Sequence, residues 1–127
     1  MEEKRIIQTE NAPTPIGPYS MGVTIGNLIF TAGQLGIDPK SGEIVTGGIQ
    51  AETRQALTNI RNILEAAGSS LENVVKTTVY LRDMADFSQM NAVYGEFFPK
   101  NCPARTTVQA GALPKNAAVE IEAIAFR

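Results

Sequence analysis

Two charged side chains, Arg105 and Glu120, lie in the largely apolar segment 102–126 and are the residues most suited to chemistry. The planar guanidinium of an arginine binds a carboxylate through two parallel hydrogen bonds, a geometry that lysine does not reproduce. A glutamate can hold a water molecule and transfer protons. Any chemistry in this segment would therefore use these two groups, although the residues alone favour a structural ion pair, because ion-pair networks also produce buried charges.

Both charges are expected on strands. Pro103 biases the residue before it toward extended geometry, so Arg105 is expected at the start of a strand. Residues 119–126 alternate with the period of two that is typical of a strand. The face that carries Glu120 ends in Ile124 and Phe126 rather than in polar residues. We therefore expect another subunit to cover this face.

The rest of the chain supplies the elements that position this segment. Apolar positions recur every three or four residues from 48 to 67, which predicts a helix that stops at Gly68. A second helix is predicted to begin with a capping box of Asp86 and Gln89 and to end before Pro99. Alternating segments and a Gly26-Asn27 turn predict strands at 4–8, 21–25, 28–34 and 75–82, the last with Val75, Thr77, Val79 and Leu81 on one face.

This order of elements predicts an α+β or mixed-sheet domain with both helices packed on one face of the sheet. The strands are rich in Val, Ile, Thr and Phe, and a large apolar sheet face is seldom left in contact with water. The sequence therefore predicts a closed homo-oligomer.

Composition restricts the function further. The 127 residues fit one domain, 1–127, and the net charge of −2 is dispersed, which argues against nucleic-acid binding. No apolar run is long enough to span a membrane, and the N-terminus does not resemble a signal peptide, so we expect a cytoplasmic protein. The chain has one cysteine and no histidine. These counts predict no disulfide, no cysteine-rich metal site and no histidine-based triad.

Five motifs carry a resemblance to a known family: IGPYS at 16–20, FTAGQLGIDPKSGE at 30–43, VVKTTVYLRDMADFSQMN at 74–91, PARTTV at 103–108 and LPKNAAVEIEAIA at 113–125. In order and spacing they resemble the reactive intermediate deaminase family, also called RidA or YjgF-type. The resemblance implies a Bacillus chorismate mutase-like fold and a homotrimer whose sheets line the interior, with ligand clefts between subunits. It also implies hydrolysis, without a cofactor or metal, of enamines and imines such as 2-aminoacrylate and 2-iminobutanoate to 2-oxo acids and ammonia.

The resemblance extends to individual residues. Arg105 matches the arginine that holds the substrate carboxylate, and Glu120 matches the acidic residue that positions or activates water. Tyr19, Gly33 and Asn91 match further substrate-binding positions. The sign of the Glu120 pKa shift stays open, because desolvation raises the pKa of a carboxyl and a nearby arginine lowers it.

Two positions depart from the pattern of the family. Thr107 stands where members often carry a cysteine, and Ala32 stands where they often carry a serine. Thr107 keeps a hydrogen-bonding group at a substrate-binding position, whereas Ala32 does not. Two alternatives remain: a non-catalytic trimer that binds or senses a small carboxylate, and a ribonuclease or translation inhibitor, against which the acidic balance and the absence of histidine argue.

Overall fold

The computed structural model of the chain describes residues 3–127. It contains one mixed sheet, two α-helices, α1 (Gly48–Ala66) and α2 (Phe87–Phe97), and three short 3-10 turns. The strands are β1 (Arg5–Ile7), β2 (Gly22–Ile25), β3 (Leu28–Thr31), β4 (Gln34–Leu35), β5 (Val74–Leu81), β6 (Ala104–Gln109) and β7 (Val119–Phe126). The expected fold class, an α+β mixed sheet with two helices, is confirmed.

The sheet has the order β1-β2-β3-β7-β5-β6, and β4 also pairs with β7. Every pairing is antiparallel except that of β5 with β6, which are joined by the crossover helix α2. The last strand, β7, therefore lies between β3 and β5 and does not form a hairpin with β6. This insertion places Glu120 on an inner strand and Arg105 on the edge strand β6.

Alternation along β7 divides the sheet into a helix-covered face and a second face. Val119, Ile121, Ala123 and Ala125 are buried, and α1 packs its own fully buried Leu57, Ile60, Ile63 and Leu64 into the same core. The apolar period of three and four in α1 and the period of two in β7 each place apolar side chains on one face, and these two faces pack together. The helices pack on this side because it carries the continuous apolar row.

The second face, which we call the open face, carries exposed apolar side chains beside Glu120 and Glu122. Its exposed hydrophobic side chains have exposed fractions between 40% and 52%: Ile6, Ile25, Leu28, Val108 and Phe126. Cross-strand register joins Ile25, Leu28 and Phe126 into one row. An apolar surface of this kind on a sheet is typical of a protein interface. Within residues 3–127, neither helix has the length and apolarity needed to cross a membrane.

Three local predictions were wrong. The strand predicted at 28–34 is broken into β3 and β4. Val75 does not share a face with Thr77, because a bulge between Val74 and Lys76 shifts the register, so that Val74 is buried and Val75 is 46% exposed. The capping box does not form: the Asp86 side chain caps nothing, and Asp83 accepts the N–H of Ala85 instead.

Gly68 and Gly95 form a matched pair for testing the helix ends. Gly68 follows α1 with φ +80°, a conformation that only glycine adopts without strain, whereas Gly95 lies inside α2 with open space around its Cα. We expect Gly68→Ala to lower the free energy of unfolding by about 1 kcal/mol and Gly95→Ala to raise it by about 0.5–1 kcal/mol. Urea unfolding measures both, and equal shifts of the same sign would contradict the assignment of the α1 terminus.

Candidate active site

Arg105 lies on the helix side of the sheet, against α2. In the parallel ladder it is level with Thr77, whose buried hydroxyl is 2.7 Å from the Tyr94 hydroxyl of α2. The guanidinium carbon of Arg105 lies 4.7 Å from the centroid of the Tyr94 ring and 5.5 Å from that of Phe87. Cation–π contacts of this length hold a guanidinium without using its hydrogen-bond donors.

The donors of Arg105 are uncommitted. Within residues 3–127 the one ion pair is Arg54 with Glu96 on the surface, and no carboxylate lies within 4.0 Å of the Arg105 guanidinium. A half-buried arginine without an anionic partner is energetically unusual, because long cationic side chains are normally either solvated or paired. This wall of the site is therefore suited to an external carboxylate.

Two unpartnered oxygens accompany Arg105. Asn91 Oδ1 and Thr107 Oγ1 are buried and have no hydrogen-bond partner among residues 3–127. Asn91 lies on α2 between Phe87 and Tyr94 at helical spacing, so it shares their face, and Thr107 lies two residues from Arg105 on the same face of β6. Buried polar atoms are nearly always hydrogen-bonded in folded proteins. These two atoms are therefore candidate acceptors for a bound ligand.

Tyr94 provides a fixed aromatic surface for Arg105. Its ring contacts the Phe98 ring, with 4.8 Å between centroids, and its hydroxyl is anchored by Thr77. Burial raises the pKa of the Tyr94 phenol, against the opposing effects of the Thr77 hydrogen bond and the Arg105 charge. Tyr94 therefore stays neutral at physiological pH and serves Arg105 as a ring surface.

Glu120 forms a second wall with Tyr19 and Gly33. The three residues line a small cavity of ≈ 60 Å³, which Leu35 and Pro114 also border. A Cβ atom at Gly33 would lie 2.6 Å from Glu120 Oε2, so only glycine leaves the carboxyl in its place. Tyr19 is half-exposed, and its hydroxyl accepts the backbone N–H of Ile16.

The carboxyl of Glu120 is partly desolvated. Burial raises its pKa, and the negative charge of Glu122, on the same face of β7, raises it further. The Tyr80 hydroxyl donates to Glu122 Oε1 at 3.4 Å. The pKa of Glu120, whose direction of shift the sequence left open, is therefore raised in this chain.

Arg105 and Glu120 lie on opposite faces of the sheet. Glu120 pairs with Tyr80, three residues along β5 from Thr77, and the register of β5 is regular between these two positions. An odd spacing on a strand places side chains on opposite faces. A structural ion pair between Arg105 and Glu120 of one chain is thereby excluded, and the predicted residues fall into two walls: Arg105, Asn91 and Thr107; Tyr19, Gly33 and Glu120.

Some residues of the site were not singled out by sequence reasoning. Phe87 and Tyr94 occupy apolar positions of the predicted second helix and were not proposed as site residues. Their spacing around Asn91 places all three on one helix face, and this spacing was the signal that could have identified them. Ala32 does not line the Glu120 cavity. Its N–H donates to the Met21 carbonyl at 2.9 Å. Among residues 3–127, no three His, Cys, Asp or Glu side chains cluster in a way that could hold a metal ion.

The fold and the two walls define an α+β protein whose sheet carries an uncommitted arginine on one face and a half-buried carboxyl on the other. The family profile described as "Endoribonuclease L-PSP" matches residues 9–127. A RutC family protein of Pyrococcus horikoshii is 58% identical over 124 residues, 98% of each chain. The 2-iminobutanoate/2-iminopropanoate deaminase of Capra hircus is 54% identical over 98% of this chain and 90% of its own length.

Solved structures agree with these matches. The E. coli YjgF gene product gives a TM-score of 0.92 at 48% identity, covering 97% of this chain and 98% of that chain. E. coli TdcF with bound serine gives a TM-score of 0.93 at 43% identity, with the same coverage of the two chains. The chain belongs to the YjgF/RidA family.

The direction of the Glu120 pKa shift gives a test of the burial of its carboxyl. Because the pKa is raised in the folded chain, the stabilising contribution of this carboxyl is fully present below its ordinary pKa and is lost as the pH rises through the raised value. Glu120→Gln should therefore be more stable than the parent at pH 7, and this difference should disappear in acid. Urea unfolding across this pH range measures it. Exposed Glu72 supplies the control, Glu72→Gln, and an identical pH dependence for both variants would contradict the assignment.

Proposed function

We propose that the chain is a hydrolytic deaminase that converts imines and enamines of small carboxylates, such as 2-iminobutanoate and 2-aminoacrylate, to 2-oxo acids and ammonia without a cofactor. The observation that carries the proposal is the Arg105 guanidinium, which is stacked on two rings and shares its wall with two buried oxygens. Within residues 3–127, neither the guanidinium nor these oxygens have a partner. Relatives support it: the Capra hircus protein is named a deaminase of this kind, and TdcF binds serine, an amino acid with the same carboxylate.

The reaction requires little of the protein. The carbon of an imine is electrophilic, more so when the nitrogen is protonated, so one positioned water suffices as nucleophile. Arg105 holds the substrate carboxylate through two hydrogen bonds, and Asn91 Oδ1 or Thr107 Oγ1 accepts from the imine nitrogen. An enamine first takes a proton at its terminal carbon and thereby becomes the imine.

Glu120 handles the protons. Its carboxylate takes a proton from the water as the oxygen bonds to the C=N carbon, and the adduct carries hydroxyl and amino groups on that carbon. The acid form of Glu120 then gives the proton to the nitrogen. As the carbon–nitrogen bond breaks, the regenerated carboxylate takes the proton of the hydroxyl group, and ammonia and a 2-oxo acid are released. Burial and Glu122 raise the pKa of Glu120 in the single chain, that is, toward the working pH, at which acid–base catalysis is most efficient.

The two walls would meet between copies of the chain. Arg105 lies on the edge strand β6, whose outer backbone groups are unpaired, and Glu120 lies on the face that also carries the apolar row of Phe126. The edge of one copy against the open face of the next is a head-to-tail contact, and such contacts close into rings. We propose a homotrimer with its sheets inside, its helices outside and three ligand clefts between subunits.

Two other functions remain to be separated by experiment. A carboxylate sensor would use Arg105 without turnover. A ribonuclease is suggested by names in the family, including that of a Thermotoga maritima structure with TM-score 0.94 and 46% identity. The net charge of −2 and the lack of histidine weigh against RNA cleavage.

The first test follows 2-oxo acid release from 2-iminobutanoate generated by a threonine dehydratase. We expect the protein to accelerate release, and Arg105→Ala and Arg105→Lys to lower kcat/KM by roughly 100-fold or more, because neither side chain grips the carboxylate at two points. Arg61→Ala is the matched control, since Arg61 also stacks on a ring, that of Phe97, at 5.9 Å.

The outcomes separate the three functions. Release accelerated by the parent and by Arg61→Ala, but not by the Arg105 variants, supports the deaminase. Carboxylate binding without acceleration supports the sensor. RNA cleavage that is lost in Arg105→Ala supports the ribonuclease and overturns the proposal.

Assembly gives an independent prediction. Phe126→Glu places a charge in the apolar row of the open face, so it should shift the protein from trimer to monomer in light scattering and remove deaminase activity. Ala66→Glu is the control, because Ala66 is exposed on α1, which packs on the other face of the sheet. A monomeric Phe126→Glu variant with full activity would refute the intersubunit site.

A further inference from the structure

We propose that Glu52 and Asn59, two buried polar residues of α1, are positioning residues that fix the Glu120 wall. This inference rests on the proposed function, since it assigns them a role in that reaction. Their exposed fractions are 7% and 0%, and they lie seven residues apart, on one face of the helix. Apolar residues would fill these places with less desolvation, so their polarity calls for a specific partner.

Glu52 holds the start of β7. Its Oε1 accepts the buried N–H of Ala118 at 2.8 Å, two residues before Glu120, while the Ala118 carbonyl accepts the N–H of Arg82 at 3.0 Å. On its other side, the backbone of Glu52 touches the chain at Gly36: a Cβ there would lie 2.6 Å from Glu52 Cα. The helix therefore contacts the segments on both sides of the Glu120 cavity at one residue.

Asn59 holds β4. Its Nδ2 donates to the Ile37 carbonyl at 2.9 Å and to the Leu35 carbonyl at 3.3 Å, and its Oδ1 accepts from Gln55 Nε2 at 2.9 Å. Leu35 is the cross-strand partner of Glu120. The two carbonyls to which the Asn59 amide donates thus lie in β4 and two residues after it, and β4 forms the other border of the cavity.

The consequence concerns the distance between Glu120 and its water. Gly33 and Glu120 are packed so closely that no Cβ fits between them, so a small shift of either strand moves the carboxyl. A displacement of about 1 Å in a reacting group costs on the order of 100-fold in rate. Arg105 lies on the other face and belongs to other contacts, so substrate binding should be spared.

The test compares Glu52→Met, which keeps length but removes the acceptor, with Glu52→Gln, which keeps an acceptor oxygen. We expect Glu52→Met to lower kcat roughly 10- to 100-fold with KM nearly unchanged, and Glu52→Gln to restore most of kcat. Ile63→Val, a core change on α1 beside Gly22, is the control for lost stability. If Glu52→Met does not fold, the milder Asn59→Ser takes its place.

Two readouts need no substrate. Amide exchange at Ala118 and the NMR titration of the Glu120 carboxyl should both change in Glu52→Met and stay as in the parent in Glu52→Gln and Ile63→Val. They decide the positioning role even if the parent proves inactive as a deaminase. Unchanged exchange and titration in Glu52→Met, or an equal loss of kcat in Ile63→Val at matched stability, would overturn the proposal.

Discussion

The alternation of side chains across β5, β6 and β7 is the constraint on which the account depends. Thr77 turns toward α2 and sets the side on which Arg105 lies, while Tyr80, at an odd spacing along the same strand, sets the opposite side for Glu120. No rotamer carries a side chain through a hydrogen-bonded sheet. If both groups serve one reaction, they must come from two chains, and the apolar open face and the unpaired edge of β6 are the surfaces through which two chains would meet.

The two walls differ in how they are prepared for a ligand. The Arg105 wall has donors and acceptors without partners, held by ring contacts and by the Thr77–Tyr94 hydrogen bond. The Glu120 wall has a carboxyl whose pKa is raised by burial and by Glu122. If the walls meet, the Arg105 guanidinium comes near the Glu120 carboxyl and lowers its pKa, against the effects of burial and of Glu122. Protonation of Glu120 is therefore expected to be linked to assembly and to substrate binding.

Much of this architecture was predictable from sequence patterns. The period of two in β7 and the helical period of α1 each reflect the burial of side chains on one element, which the sequence records directly.

Other features depend on contacts between elements. The bulge that exposes Val75 arises from the register of β5 against β7, and the cap at Asp83 depends on the path of the chain after β5. The sign of the Glu120 pKa shift depends on what surrounds it in space. The roles of Glu52 and Asn59 are not visible in the helical pattern, because Ile37, Leu35 and Ala118, to which they are hydrogen-bonded, lie between 22 and 66 positions away in the chain.

The most direct test of the intersubunit site is complementation between two inactive variants. Arg105→Ala and Glu120→Gln, co-expressed with different tags and purified as mixed assemblies of the proposed trimer, should regain about a third of the parent activity, since one site in three of a mixed trimer joins an intact Arg105 to an intact Glu120. Mixed trimers that assemble but remain as inactive as either variant alone would contradict a site built from two chains.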